Sequence, residues 1–139
     1  MYEKILAAVD HSEITPRVIN AVLELASLSQ GEVWVLHLRE RETMGRTGLL
    51  TSSEGRDEAS EAVTAAVETL TKAGIKTHGA VRETLFGHAA REIVSDAQEH
   101  GADVIVMGSR GRGDLAGLVL GSTAHKVMHL ADRPVLVVR

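Results

Sequence analysis

The chain has 139 residues, is 44% hydrophobic and carries 15 Lys and Arg against 19 Asp and Glu, a formal charge of −4. This is the length of one domain with a core of its own. The acidic balance argues against sequence-independent nucleic-acid binding, the three aromatic residues (Tyr2, Trp34 and Phe86) against a base-stacking platform, and the absence of cysteine against disulfides, thiolate metal sites and thiol catalysis.

The N-terminal Met1-Tyr2-Glu3-Lys4 leads into a strand-like run, not into a signal-peptide core, and no apolar run approaches the roughly 20 residues of a membrane span. A soluble cytoplasmic protein is the expectation. Lys4 to Val9 is a short apolar run of the kind buried on both faces of a parallel sheet, and it ends at Asp10-His11-Ser12. Thr15-Pro16 reads as an N-cap followed by proline at the first helical position. Ile19, Val22, Leu23 and Ala26 continue that helix at helical spacing up to Gln30-Gly31, and Val33 to Leu38 is the second strand. Arg39 to Arg56 is polar and aperiodic, with glycines at 45, 48 and 55; it reads as an irregular segment, either a lid over a site or a disordered insertion.

From Asp57, a stripe formed by Ala59, Ala62, Val63, Ala66, Val67, Leu70 and Ala73 marks a helix that Gly74 closes. Ile75 to Val81 is a weaker strand, in which Lys76 and His78 alternate as on a sheet edge. His88 to His100 is an amphipathic helix capped by Gly101, and Val104 to Met107 is the fourth strand. Leu120, Ala124, Val127, Met128 and Ala131 mark the last helix, and Pro134 introduces a final strand, Val135 to Val138. Alternating strands and helices predict a single α/β domain with a five-stranded parallel sheet, right-handed crossovers and helices on both faces.

Five of the 13 glycines fall between Gly108 and Gly121, in the segment joining the fourth strand to the last helix. That is where a parallel sheet presents a ligand to a helix N-terminus, whose unpaired N–H groups and dipole favour an anion. Glycines let the main chain approach phosphate oxygens closely. The last 39 residues carry five basic and three acidic groups, a balance of +2 on a chain whose first 100 residues sum to −6. Walker A spacing is present between Gly108 and Gly113, but Asp114 stands where lysine is required. The dinucleotide pattern at Gly111, Gly113 and Gly117 is one residue too long and follows the wrong strand.

The letters do fit G-x2-G-x9-G-[ST], as Gly108, Gly111, Gly121 and Ser122. With the strand–helix order and a first strand ending at Asp10, the whole chain resembles the universal stress protein family, in which this motif marks the members that bind ATP. The resemblance implies a Rossmann-like or flavodoxin-like sheet of order 3-2-1-4-5, with a crevice at the switch point between the first and fourth strands. It implies that Ala8 and Asp10 line the adenosine end, with Asp10 accepting hydrogen bonds from the nucleoside, and that Leu38 packs on the base or ribose. Met107, Gly108 and Gly111 would cradle ribose and phosphates, and Gly121, Ser122 and Thr123 would donate to phosphate oxygens. The implied ligand is ATP, ADP or AMP, with Mg2+ or Mn2+ bound through the phosphates.

Blander roles stand beside these. Asp10 also suits a turn, Ser122 and Thr123 also suit a helix cap, and Arg110 and Arg112 are either phosphate contacts or solvated. His125 and His129 have the i, i+4 spacing of a metal pair but lack the Glu of H-E-x-x-H and a third ligand. His11 and Ser12 are adjacent on extended chain, which points them apart, and no nucleophile elbow surrounds them. The expected function is an adenine-nucleotide-binding regulator of the stress response with no dedicated catalytic residue and at most slow ATP hydrolysis. The alternatives are an enzyme of the adenine-nucleotide α-hydrolase type, although Asp10-His11-Ser12-Glu13 has no glycine for a phosphate loop, and a nucleotide-independent interaction domain. The apolar final strand, Val135 to Val138, lies at a sheet edge, and the family resemblance implies a homodimer through it.

Overall fold

The computed structural model describes residues 1–111, 117 and 119–139. In chain order its elements are β1 (Lys4–Ala8), α1 (Thr15–Ser29), β2 (Glu32–Met44), β3 (Leu49–Thr51), α2 (Arg56–Lys72), β4 (Thr77–Leu85), α3 (Ala89–Glu99), β5 (Val104–Gly108), α4 (Ser122–Leu130) and β6 (Val135–Val138). β1 lies at the centre, paired in parallel with β2 on one side and β5 on the other. β4 joins β2 in parallel and β6 joins β5 in parallel. The expected order 3-2-1-4-5 is therefore present as β4-β2-β1-β5-β6. The sheet is mixed and not wholly parallel, because a sixth strand, β3, pairs antiparallel with Glu42 to Met44.

Alternation along the central strands sorts the apolar side chains into two cores. Ile5, Ala7 and Val9 of the β1 region, with Val33, Val35, Val104 and Val106, pack against Val18 and Val22 of α1 and Val63, Ala66 and Leu70 of α2. Leu6, Leu36, Ile105 and Met107 face the other way, onto Ile93 and Ala97 of α3 and Ala124 and Val127 of α4. Period-2 strands between amphipathic helices give this double-sided burial. Gly79 on β4 allows α2 to lie close, since a Cβ there would come within 2.6 Å of Val63 Cγ1 and 2.8 Å of Val67 Cγ2.

The segment 39–56 departs from the reading of it as an irregular lid or disordered insertion. β2 and β4 run on together well past the core, with Arg39 opposite Glu83 and Arg41 opposite Leu85. β2 then turns through a short 3-10 segment, Gly45–Thr47, into β3. Ion pairs carry this ladder where apolar burial does not: Arg39 Nη1 lies 2.7 Å and Arg41 Nη1 3.0 Å from the two oxygens of Glu83. Desolvation alone would raise the Glu83 carboxyl, but Arg41, Arg39 and Arg56 outweigh it and hold it below its ordinary value. Because the ladder is solvated, its sequence has no apolar period for a pattern reading to detect.

Smaller boundaries shift for local reasons. Ile14, not Thr15, is the N-cap of α1, and the Thr15 hydroxyl is committed to Asp10 instead. Leu120 and Ala131 flank α4 and pack on its core, whereas Met128 is exposed. No helix among the described residues is long and apolar enough to cross a membrane.

Candidate functional site

The C-terminal ends of β1, β2 and β5 open onto a crevice at the point where the chain leaves β1 for one side of the sheet and β5 for the other. Parallel sheets bind ligands at such switch points. An inner cavity of about 100 Å³ is lined by Ala8, Asp10, Leu38, Met107, Gly108, Gly111 and Thr123, together with Ile14, Thr15, Glu40 and Arg110. It merges with an outer groove of about 580 Å³ through Asp10, His37, Leu38, Glu40 and Gly111, which line both. Cavity and groove together fall within the ~300–1,000 Å³ typical of small-molecule sites.

One jaw is the turn after β1. Asp10 Oδ1 accepts from the Ser12 N–H at 2.8 Å and from the Thr15 hydroxyl at 2.9 Å, so its carboxylate is held in one orientation. The Thr15 hydroxyl also lies 2.7 Å from the Asp10 carbonyl oxygen, which ties the turn to the start of α1. His11 and Ser12 diverge as expected: the His11 ring turns to Glu54, while Ser12 Oγ lies 3.5 Å from Thr15 Oγ1.

The other jaw is the segment after β5. A Cβ on Gly108 would sit 2.7 Å from Ile14 Cγ2 and 3.2 Å from the Arg110 carbonyl, so glycine is what allows β5 and the start of α1 to approach here. The Ser109 N–H donates to Val138 O at 2.7 Å, and the Gly121 N–H donates to Ser109 O, which brings the start of α4 back to the end of β5. Gly121 is the N-cap of α4, and among the described residues no side-chain oxygen caps the helix, so Ser122 and Thr123 do not play the capping role. Both lie in the first turn, where N–H groups lack intrahelical partners.

Seven of the nine residues singled out from the sequence thus share the inner cavity; Gly121 and Ser122 stand at the helix start beside it without lining it. Arg110 lines the cavity, whereas Arg112, Gly113 and Asp114 lie outside the described residues. Pattern reasoning missed the acidic wall formed by Glu40, Glu42 and Glu54. Burial, aided by Glu42, raises the Glu40 carboxyl above its ordinary value against the opposing pull of the Gly87 N–H and Lys126. The available signal was that Leu38 and Glu40, two apart on an extended chain, must share a face.

His37 and Glu54 are both buried. His37 Nδ1 lies 2.7 Å from Val9 O, and its Nε2 lies 2.8 and 2.9 Å from the two Glu54 oxygens. Arg39 Nε donates to the Glu54 carbonyl at 2.8 Å. These bonds fasten the segment before α2 onto the end of β1.

Known proteins share this fold. A sequence model of the universal stress protein family matches residues 1–139. Universal stress protein YxiE of Bacillus subtilis is 35% identical over 154 residues, covering 100% of both chains. Universal stress protein MJ0577 of Methanocaldococcus jannaschii is 31% identical over 158 residues, covering all of this chain and 96% of the relative. The solved structure of MJ0577 superposes with a TM-score of 0.80 at 26% identity, over 99% of this chain and 96% of that one. A universal stress protein from Archaeoglobus fulgidus, solved in complex with dAMP, superposes with a TM-score of 0.75 at 28% identity, over 99% of this chain and 98% of that one. On the family match and the full-length relatives, this chain belongs to the universal stress protein family.

Proposed function

We propose that the protein binds an adenine nucleotide, ATP above all, in the crevice between β1 and β5, and acts as a stress-response regulator through that bound state. The observation that carries this reading is the convergence of Ala8, Asp10, Leu38, Met107, Gly108, Gly111 and Thr123 on one cavity at the switch point. The dAMP complex of the Archaeoglobus fulgidus relative supports the choice of adenine. Asp10 is oriented to accept from the nucleoside, and Leu38 offers an apolar face to the base or ribose. Met107, Gly108 and Gly111 cradle ribose and phosphates. The first turn of α4, at Gly121, Ser122 and Thr123, receives phosphate oxygens where N–H groups and dipole favour an anion.

The Glu40–Glu42 side of the groove repels a bare polyphosphate. ATP, ADP or AMP therefore enters with Mg2+ or Mn2+ carried on its phosphates, and the ion offsets that repulsion. None of the described residues is assigned to activate water, and turnover of ATP is slow or nil. The protein works in the cytoplasm as a homodimer. The dimer forms through β6, which pairs with β5 alone among the described strands and in which Leu136 is exposed.

Denaturing the purified protein and identifying the released small molecules by mass spectrometry tests the ligand; adenine nucleotide is the expected product. Release of none, together with no heat on titrating ATP to millimolar concentration, would leave an interaction domain without nucleotide. Rapid multiple-turnover phosphate release would instead favour an enzyme. Sedimentation at tens of micromolar is expected to give twice the 14.9 kDa chain mass, and a monomer would count against pairing through β6.

A further inference from the structure

Beside the crevice, two segments distant in sequence bring three metal-binding side chains to one point. His11 follows β1, Glu54 precedes α2, and Glu58 lies in the first turn of α2. One ligand atom from each falls within 4.8 Å of the others. His11 Nε2 lies 3.3 Å from Glu54 Oε1 and also faces the Glu58 main-chain carbonyl.

We propose that His11, Glu54 and Glu58 form a site for a first-row divalent cation of the Zn2+ type, held by the protein itself and not by nucleotide phosphates. Imidazole with two carboxylates is a donor set that such ions accept, and it presents two negative charges to the cation. A tetrahedral ion about 2.1 Å from its ligands spaces them roughly 3.4 Å apart, and the His11–Glu54 separation of 3.3 Å already matches that edge. The Glu58 carboxylate, half-buried in the first turn of α2, already comes within 4.8 Å of the other two ligand atoms.

The surroundings hold the central ligand in place. His37 is a positioning residue: its Nδ1 is fixed on the Val9 carbonyl and its Nε2 on the Glu54 carboxylate. Arg39 fixes the Glu54 backbone from the other side. Such outer contacts orient the ligands of metal sites generally. Binding takes the place of the proton that His11 Nε2 donates to the Glu58 carbonyl; as Nε2 gives up that proton, Nδ1 takes one up, and the ligand is the neutral imidazole protonated at Nδ1. Three protein ligands leave a fourth position for water.

The test is equilibrium dialysis of the chelator-treated, nucleotide-free protein against Zn2+, with metal content read by mass spectrometry. The absorption of bound Co2+ serves as a second readout. One equivalent of Zn2+ is expected, with visible Co2+ bands of tetrahedral intensity. Affinity should fall by at least about tenfold in His11→Ala and in Glu58→Gln, the scale on which ligand and outer-shell changes act. Glu58→Gln keeps the shape of the side chain at a half-buried position, so it remains informative if His11→Ala folds poorly. The double variant His125→Ala/His129→Ala, on α4, should keep the full equivalent. No uptake, uptake only when ATP is added, or loss of the ion in the α4 variant instead of at His11 would each overturn the proposal.

Discussion

The turn after β1 and the segment after β5 face each other across the crevice and are held by different means. In the first, side chains do the holding: Asp10, Ser12 and Thr15 tie carboxylate, main chain and hydroxyl together within 3 Å. In the second, the absence of a side chain matters most, since a Cβ on Gly108 would collide with Ile14 of the opposite jaw. The first jaw presents a fixed polar group suited to the directional hydrogen bonds of a nucleoside. The second presents bare main chain and a helix start suited to the diffuse charge of phosphates. Polar substitutions should therefore damage one jaw and added volume the other.

Gly121→Val should have the largest effect. Gly121 is extended, with φ −74° and ψ 166°, a conformation valine adopts without strain, so the fold should survive by circular dichroism while ATP binding disappears in titration calorimetry. Retained affinity would remove the start of α4 from the site. Asp10→Ala should come next, weakening ATP about tenfold to a hundredfold. That is the scale of about 1.5–3 kcal/mol for hydrogen bonds to a charged group, and an unchanged affinity would make Asp10 a turn residue only.

Gly108→Ala and Gly79→Ala form a matched pair. Each meets a methyl carbon at 2.7 Å or closer, and each should lose about 1–3 kcal/mol of stability to overpacking, read from denaturant unfolding followed by Trp34 fluorescence. Only Gly108→Ala should also weaken ATP, because Gly79 packs against α2, away from the crevice. Equal effects on ATP would mean that general loosening, and not the jaw, controls binding.

Glu40→Gln should give the smallest change. A carboxyl whose value is raised in the folded protein costs no stability below its ordinary range, and the full cost is present once pH has risen through the raised value. The same ionisation opposes an anionic ligand, so ATP should bind somewhat more tightly as pH falls through that range. Glu40→Gln should bind slightly better than the parent at neutral pH and lose that part of the pH dependence in calorimetric titrations between pH 4 and 7.5. A weaker-binding variant would show that Glu40 contributes to the site as an anion.

What could be read from sequence follows the physics of each part. The central strands β1, β2 and β5 and the helices announce themselves because double-sided burial writes continuous apolar runs and helical stripes, as in Lys4 to Val9 and Ala59 to Leu70, whereas β4, exposed along most of its length, leaves only a weak signal. The glycine jaw is legible because close approach leaves glycine at fixed spacing. The ladder through Arg39, Arg41 and Glu83 was hidden, since cross-strand ion pairs between solvated strands leave no period in either partner alone. The His11–Glu54–Glu58 cluster was hidden for a related reason: its members are brought together by the path of the β2–β3 segment, not by their spacing along the chain.

The central claim is that the two jaws close on an adenine nucleotide, and calorimetric titration of ATP with Mg2+ into the nucleotide-free protein tests it most directly. A saturating isotherm at one nucleotide per chain, lost in Gly121→Val while the fold is retained, is the predicted result. A flat isotherm to millimolar ATP in the parent protein, or equal heats in the parent and Gly121→Val, would contradict it.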